Sequence, residues 1–131
     1  MRAYTDLEQS KKLAEILPLE SADMYWLNRH IDLTETKYEV FVVDKSNKYV
    51  DFFKSYAVAI NNNEIIPCWS LAALLDVLSY PQLSKDKLGS EKVEWMVSVY
   101  PNNCRYDSCW HDNPVDACYE MIIRLHELNL L

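Results

Sequence analysis

The sequence predicts an α+β fold: an antiparallel sheet of about four strands with three helices, mainly on one face. Three observations support this class. Three segments carry helix caps followed by apolar stripes, two stretches alternate as strands do, and the order runs helix, hairpin, helix, hairpin, helix. The 131 residues, half of them hydrophobic, are enough to bury the core of one domain. We therefore expect a single domain over residues 1–131.

The first two helices are predicted from their N-terminal caps. Thr5 and Glu8 have the spacing of a capping box, in which each residue bonds the backbone N–H of the other. Ser70 suits the N-cap of the second helix, because its hydroxyl can accept from a free N–H of the first turn. Trp69 and Leu74 then stand at the positions of a hydrophobic staple. Both helices should start close to these residues.

The third helix is the clearest of the three. Asn113 is a good N-cap, and Pro114 suits the first helical position because that position needs no backbone N–H. Helical spacing predicts one buried stripe along it. Its members are Val115, Cys118, Met121, Ile122, Leu125 and Leu128.

The strands are predicted as two hairpins. In the first, Tyr38–Val43 is followed by turn residues Asp44–Asn47 and then by 49–60 as a returning strand, with a helix as the competing interpretation of 49–60. In the second, Val93–Tyr100 alternates well and 104–110 returns antiparallel after a turn at 101–103. Residues 19–37 fit no element clearly, although 24–27 should pack on the core. Residues 82–92 look like a polar connection.

Composition excludes several functions. The chain has one glycine where average usage would give about nine, so phosphate-binding loops, dinucleotide turns and the glycine-flanked serine of hydrolases are absent. The net charge of −7 makes nucleic acid an unlikely partner, although lysines beside aromatic residues between 37 and 54 leave a single-strand platform as a weaker alternative. No apolar run is long enough for a membrane span, so we expect no membrane partner.

The segment CRYDSCWHDNPVDAC, residues 104–118, concentrates the thiols and a histidine. Strand alternation places Cys104, Tyr106 and Trp110 on the core side, with Cys104 near Cys118. The opposite face then carries Arg105, Asp107, Cys109 and His111. Cys109, His111 and Asp107 are the candidate catalytic residues, although thiol and imidazole at i and i+2 seldom reach each other. The spacing does not match a zinc site, so we predict no metal and no cofactor.

Aromatic residues give the second candidate site. The chain has four tryptophans and nine tyrosines, residues that offer large contact areas with a polar tip. Core packing alone could account for them. The alternative is a partner-binding surface, and its candidate members are Trp69, Trp110, Tyr100, Tyr106 and Arg105.

Three stretches together resemble a family of small uncharacterised proteins from phages, prophages and other mobile elements of gut bacteria. They are AYTDLEQSKKLAEILP (3–18), IPCWSLAALLDVL (66–78) and DNPVDACYEMIIRLHELNLL (112–131). The resemblance covers a third to a half of the chain, mainly its helices. It implies a mobile-element setting inside a bacterial cell, and it assigns no activity and no site residue.

The sequence therefore predicts a cytoplasmic accessory protein that binds another protein, such as a host protein. This prediction rests on the negative net charge, the high number of aromatic residues and the absence of the catalytic motifs named above. The alternative is a small hydrolase that depends on Cys109 and His111 or on a metal. Oligomeric state is left open, and the balance of signals is against an enzyme.

Overall fold

Two three-stranded antiparallel sheets and five α-helices form the described part of the chain. This is a computed structural model, and it describes residues 2–32, 35–43, 52–88 and 92–131. The chain divides into two compact units, Asp6–Trp69 and Met1–Thr5 with Ser70–Leu131. The α+β class and the antiparallel pairing are confirmed. The predicted single sheet of four strands is wrong, because six strands are shared between two sheets.

The unit Asp6–Trp69 has the strand order β2-β1-β3. Its elements are α1 (Leu7–Ala14), β1 (Met24–Asp32), β2 (Glu35–Val42), α2 (Phe52–Ser55), α3 (Ala57–Asn61) and β3 (Ile65–Cys68). Strand β1 pairs with β2 over almost its whole length and with β3 over four residues. The buried apolar strand β3 and the buried Leu13 of α1 contribute to the core of this unit.

Helix α1 begins one residue later than predicted. Asp6 is the N-cap, and its carboxylate accepts from the backbone N–H of Gln9 at 2.7 Å. The Gln9 side chain accepts in return from the N–H of Asp6 at 3.1 Å. The capping box is therefore present, but it uses Asp6 and Gln9. Thr5 is fully buried instead. Two overlapping boxes fit the sequence, and spacing alone does not choose between them.

The first hairpin lies earlier in the chain than predicted. Residues 24–32, which fitted no element, form the central strand of the sheet, and residues 52–55 and 57–61 are helical. The competing helix interpretation of 49–60 is thus correct over its described part. The predicted turn at Asp44–Asn47 and residues 49–51 lie outside the described residues.

Helices of this unit lie on both faces of their sheet. Trp26 donates its indole N–H to Ser10 of α1 at 3.1 Å, while the neighbouring Tyr25 packs on Phe52 of α2 with ring centroids 4.8 Å apart. Adjacent residues of a strand point to opposite faces. The prediction that helices cover mainly one face is therefore wrong for this unit.

The second unit has the strand order β4-β5-β6. Its elements are α4 (Leu71–Val77), β4 (Gln82–Leu88), β5 (Lys92–Val99), β6 (Tyr106–Asp107) and α5 (Pro114–Glu127). Helix α5 packs on β5 and on α4. Residues 82–88 were predicted to be a polar connection, and this is wrong. Their charged residues suit an exposed outer strand, where charge discourages pairing with other chains.

The caps of α4 and α5 are confirmed. Ser70 accepts from the N–H of Ala73 at 3.2 Å, and Asn113 accepts from the N–H of Val115 at 2.8 Å. Pro114 opens α5 as expected. The predicted buried stripe of α5 is correct except for Leu128, which is half exposed because it caps the end of the helix.

The strand that returns after residues 101–103 contains a β-bulge. Asp107 opposes Ser98, and the N–H of Ser108 donates to the carbonyl of Val97 at 2.9 Å. His111 opposes Trp95 through two backbone bonds of 2.6 and 2.8 Å. Two residues, 109 and 110, therefore face the single residue 96 between these pairs, which defines a bulge.

The bulge reverses the predicted alternation after Ser108. Directly opposed residues point to the same face, so His111 shares the face of Trp95, and Trp110 does not. Trp110 was predicted to lie on the core side, but 39% of it is exposed. Cys104 is exposed as well, whereas Cys118 is buried, so the predicted burial of Cys104 beside Cys118 is wrong.

Candidate functional site

The Glu120 cluster joins α5 to the bulged segment. It consists of Glu120, Arg124, Cys109 and His111. The Glu120 carboxylate accepts from the backbone N–H of Cys109 at 3.1 and 3.3 Å and from His111 Nε2 at 3.1 Å. Arg124, one turn further along the helix, donates to it at 3.1 Å. An ionised carboxylate only accepts, so His111 carries its proton on Nε2 in this arrangement.

Charge in the cluster is balanced by direct contacts. Burial alone would raise the pKa of Glu120, but the hydrogen bonds from His111 and Cys109, with the charge of Arg124, outweigh it and lower that pKa. Arg124 also donates to the backbone carbonyl of Asp107 at 2.6 Å. Its guanidinium therefore bridges the helix and strand β6, and Glu120 stays ionised.

Asp107 stands in a second network on the other side of β6. Its carboxylate accepts from the Ser98 hydroxyl at 2.6 Å and from Arg105 Nε at 2.8 Å. These two hydrogen bonds lower the pKa of Asp107. The hydrogen bond between Arg105 and Asp107 also raises the pKa of Arg105. The carboxylate is thus held by its neighbours and does not contact His111 in the hydrogen bonds of the described residues.

The three candidate catalytic residues therefore make different contacts. His111 is oriented by Glu120, Cys109 is held through its backbone N–H, and Asp107 belongs to the network of Ser98 and Arg105. The Cys109 side chain is exposed. Sequence reasoning missed Glu120, although Glu120 and Arg124 form an i, i+4 acid–base pair on a predicted helix. That spacing was the available signal.

The chemistry open to this arrangement is limited by Arg124. A carboxylate that accepts from an imidazole is the orienting pair of many general bases. Here the same carboxylate also forms an ion pair with the guanidinium of Arg124, which offsets its negative charge. The contacts tie the bulged segment to α5, and this holds whether or not the histidine reacts.

A surface hollow lies beside the cluster, and we call it the α5 hollow. Its volume is about 440 Å³. Its lining residues are His111, Tyr119, Glu120, Ile123, Arg124 and Glu127. Tyr119, Ile123 and Glu127 follow each other at four-residue steps along α5, so they form one stripe on the helix. The hollow thus has an apolar floor, a charged wall and a carboxylate at the far end of the stripe.

The predicted binding residues are not all available at the surface. Trp69 is fully buried and donates its indole N–H to Ser21 at 2.9 Å, so it cannot present its ring to a partner. Trp110 and Arg105 are exposed, whereas Tyr100 and Tyr106 are half-buried. The other four residues belong to the segment 100–111 around β6. The last residue of this segment, His111, lines the α5 hollow.

The described residues hold neither a cluster of metal-ligating side chains nor a helix suited to crossing a bilayer. Within these residues no group of three or more His, Cys, Asp or Glu side chains could hold a metal ion. The helices described here include none with the length and apolar character that a bilayer crossing requires. The buried Cys118 has its pKa raised to about 12 by desolvation, which keeps that thiol protonated.

Fold and site together define an α+β protein with two three-stranded sheets and a charged, partly apolar hollow on its last helix. No protein family, no curated protein and no solved structure matches the chain.

Proposed function

We propose that this chain acts by binding another protein, and that an apolar side chain of the partner docks in the α5 hollow. One observation carries the proposal. A hollow of about 440 Å³ has Tyr119 and Ile123 in its lining, beside the hydrogen-bonded Glu120 and His111. Tyrosine in a partly apolar pocket is typical of the residues that dominate binding energy at protein interfaces.

Rigidity of the rim supports the same function. The Glu120 cluster fixes the bulged segment against α5 by contacts from Cys109, His111 and Arg124. A site that is already ordered loses less conformational entropy when a partner binds. A protein-binding role uses this order directly, and needs no reactive group. The mobile-element setting rests on the sequence resemblance alone and stays a prediction.

The test introduces one charged side chain into the α5 hollow. Ile123→Glu places a carboxylate on its apolar floor, and we expect it to abolish saturable capture of the partner from a lysate of the source cell. Tyr80→Glu is the control, because Tyr80 is 84% exposed in the same unit and does not line the hollow. Free wild-type chain must compete for the captured protein, and thermal melting must show that both variants are folded.

Equal capture by Ile123→Glu and by wild type would refute docking in the α5 hollow. Loss of capture in both variants would also count against it, since the effect would not depend on the hollow.

A thiol hydrolase that uses Cys109 and His111 is the second candidate. The observation in its favour is that Glu120 orients His111 two residues from an exposed thiol. An activated thiol should react with iodoacetamide at pH 7 much faster than the exposed Cys104 of the same chain. Mass spectrometry of the two peptides gives both rates. Equal rates at Cys104 and Cys109 would remove this candidate.

A further inference from the structure

We infer that the partner segment that fills the α5 hollow is basic, with a lysine or arginine about 6 Å from its apolar anchor. The inference rests on the proposed function and names the chemistry of the partner. Two carboxylates and one guanidinium line the hollow, and the chain as a whole has a net charge of −7. The question is which of these charges is free to meet a ligand.

Most of the charge in the lining is already paired. Glu120 accepts from His111, from the N–H of Cys109 and from Arg124. Arg124 in turn donates to Glu120 and to the carbonyl of Asp107. The charges of these two groups are therefore already offset in part by each other. The Glu120–Arg124 pair therefore contributes to the shape and order of the hollow more than to net attraction of a charged ligand.

Glu127 is different. Its side chain is exposed, and it makes no ion pair with any residue that the structure describes. It therefore supplies the free charge of the lining. Asp112, next to His111 in sequence, is also exposed and has no ion pair among the described residues. A cation is thus favoured at the rim, and an anionic segment is repelled.

Geometry sets the spacing in the partner. Ile123 and Glu127 are four residues apart, and an α-helix rises about 1.5 Å per residue, so their positions differ by about 6 Å along the axis. A ligand whose apolar group contacts Ile123 then needs its positive group about 6 Å away. Two residues of extended chain span about 6.7 Å, so an apolar residue with a lysine or arginine at i+2 fits.

Three small probes with the same ring test the charge preference without knowing the partner. They are 2-phenylethylamine, 2-phenylethanol and phenylacetate, and each is titrated into ¹⁵N-labelled full chain while the amide signals of α5 are followed. We expect all shifts to map to residues 119–127, with the amine binding about fivefold more tightly than the alcohol and phenylacetate weakest, as a single exposed charge near 4 Å allows.

The variant Glu127→Gln should reduce the ratio of amine to alcohol affinity to about one. Asp86→Asn is the matched control, because Asp86 is an exposed acid on β4 of the same unit, and it should leave the ratio unchanged.

Phenylacetate binding as tightly as the amine, or an equal loss in both variants, would overturn the inference. So would the absence of any shift on α5. The proposed function is judged separately by Ile123→Glu, whose result does not depend on the partner's charge.

Discussion

Replacing Glu120 by alanine removes the acceptor on which three groups converge. The Cys109 N–H and His111 Nε2 lose a partner at 3.1 Å, and Arg124 loses its ion pair. The side chain of Glu120 is 26% exposed, so water can replace only part of what is lost. Hydrogen bonds to charged groups contribute about 1.5–3 kcal/mol, and we take about 1 kcal/mol each here because the site is partly exposed; the i, i+4 pair adds about 0.4 kcal/mol. We expect a loss of about 2 kcal/mol in the free energy of unfolding.

Thermal melting followed by circular dichroism at pH 7 checks this magnitude. For a chain of this length, about 2 kcal/mol corresponds to a fall of about 7 °C in the melting temperature. Glu127→Ala is the control, because Glu127 is an exposed acid on the same helix without an ion pair among the described residues. It should change the melting temperature by less than about 2 °C. A drop of the same size in both variants would refute the role given to the Glu120 contacts.

The same substitution has a pH signature. The folded pKa of Glu120 lies below its ordinary value of 4.5, so its stabilisation is complete above that value and is lost as the pH falls through the folded pKa. The alanine variant should therefore lose less stability than wild type between pH 5 and pH 3. Asp107, whose pKa is also lowered, keeps part of the acid dependence in both chains. An equal loss of stability in wild type and in the alanine variant between pH 5 and pH 3 would contradict a lowered pKa for Glu120.

Three further predictions concern single groups. Asn113→Ala removes the cap of α5 and should cost about 1 kcal/mol in chemical denaturation, whereas Asn113→Asp should stay within a few tenths. Ser108→Ala leaves the N–H of Val97 without its 3.0 Å acceptor inside the sheet, and should cost about 1–3 kcal/mol; an unchanged midpoint would mean that the bulge tolerates the loss. Thiol titration with Ellman's reagent at pH 7 should show two fast and two slow cysteines, and four equal rates would contradict the burial pattern. The fast pair is Cys104 and Cys109, and the slow pair is Cys68 and Cys118.

Local signals in the sequence were sufficient where a cap and a stripe coincide. Asn113, Pro114 and the apolar spacing of α5 specify that helix, and Ser70 specifies the start of α4. These rules act within one or two turns, so the rest of the chain does not alter them. The same holds for β5, whose alternation is regular.

Strand β1 was missed because its signal is tertiary. Residues 24–32 contain Asn28, Arg29 and His30, which are poor strand formers alone. They form a strand because β2 and β3 pair on either side. Residues 82–88 were missed for the same reason, since the polar strand β4 is stabilised by pairing with β5. A single sequence does not show which segments become neighbours.

The side chains of the candidate site were assigned to the wrong faces. Cys109 and His111 do lie at the surface near a hollow, yet period-2 alternation placed them on one face with Trp110 on the other. The bulge at 109–110 breaks that period, and it is visible only once Ser108 and His111 are paired with β5. The acid Glu120 was missed because it comes from the helix that follows.

The bulge at residues 109 and 110 also changes the register in which the later residues pair with β5. Deleting one residue at 109 or 110 would restore regular pairing and keep histidine opposite Trp95, while the pairing of Ser98 with Asp107 could stay in place. The hollow would keep its imidazole, and only the extra residue of the bulge would be lost. A single-codon deletion at this point could thus remove the bulge and leave the histidine on its face, which makes length here as informative as residue identity.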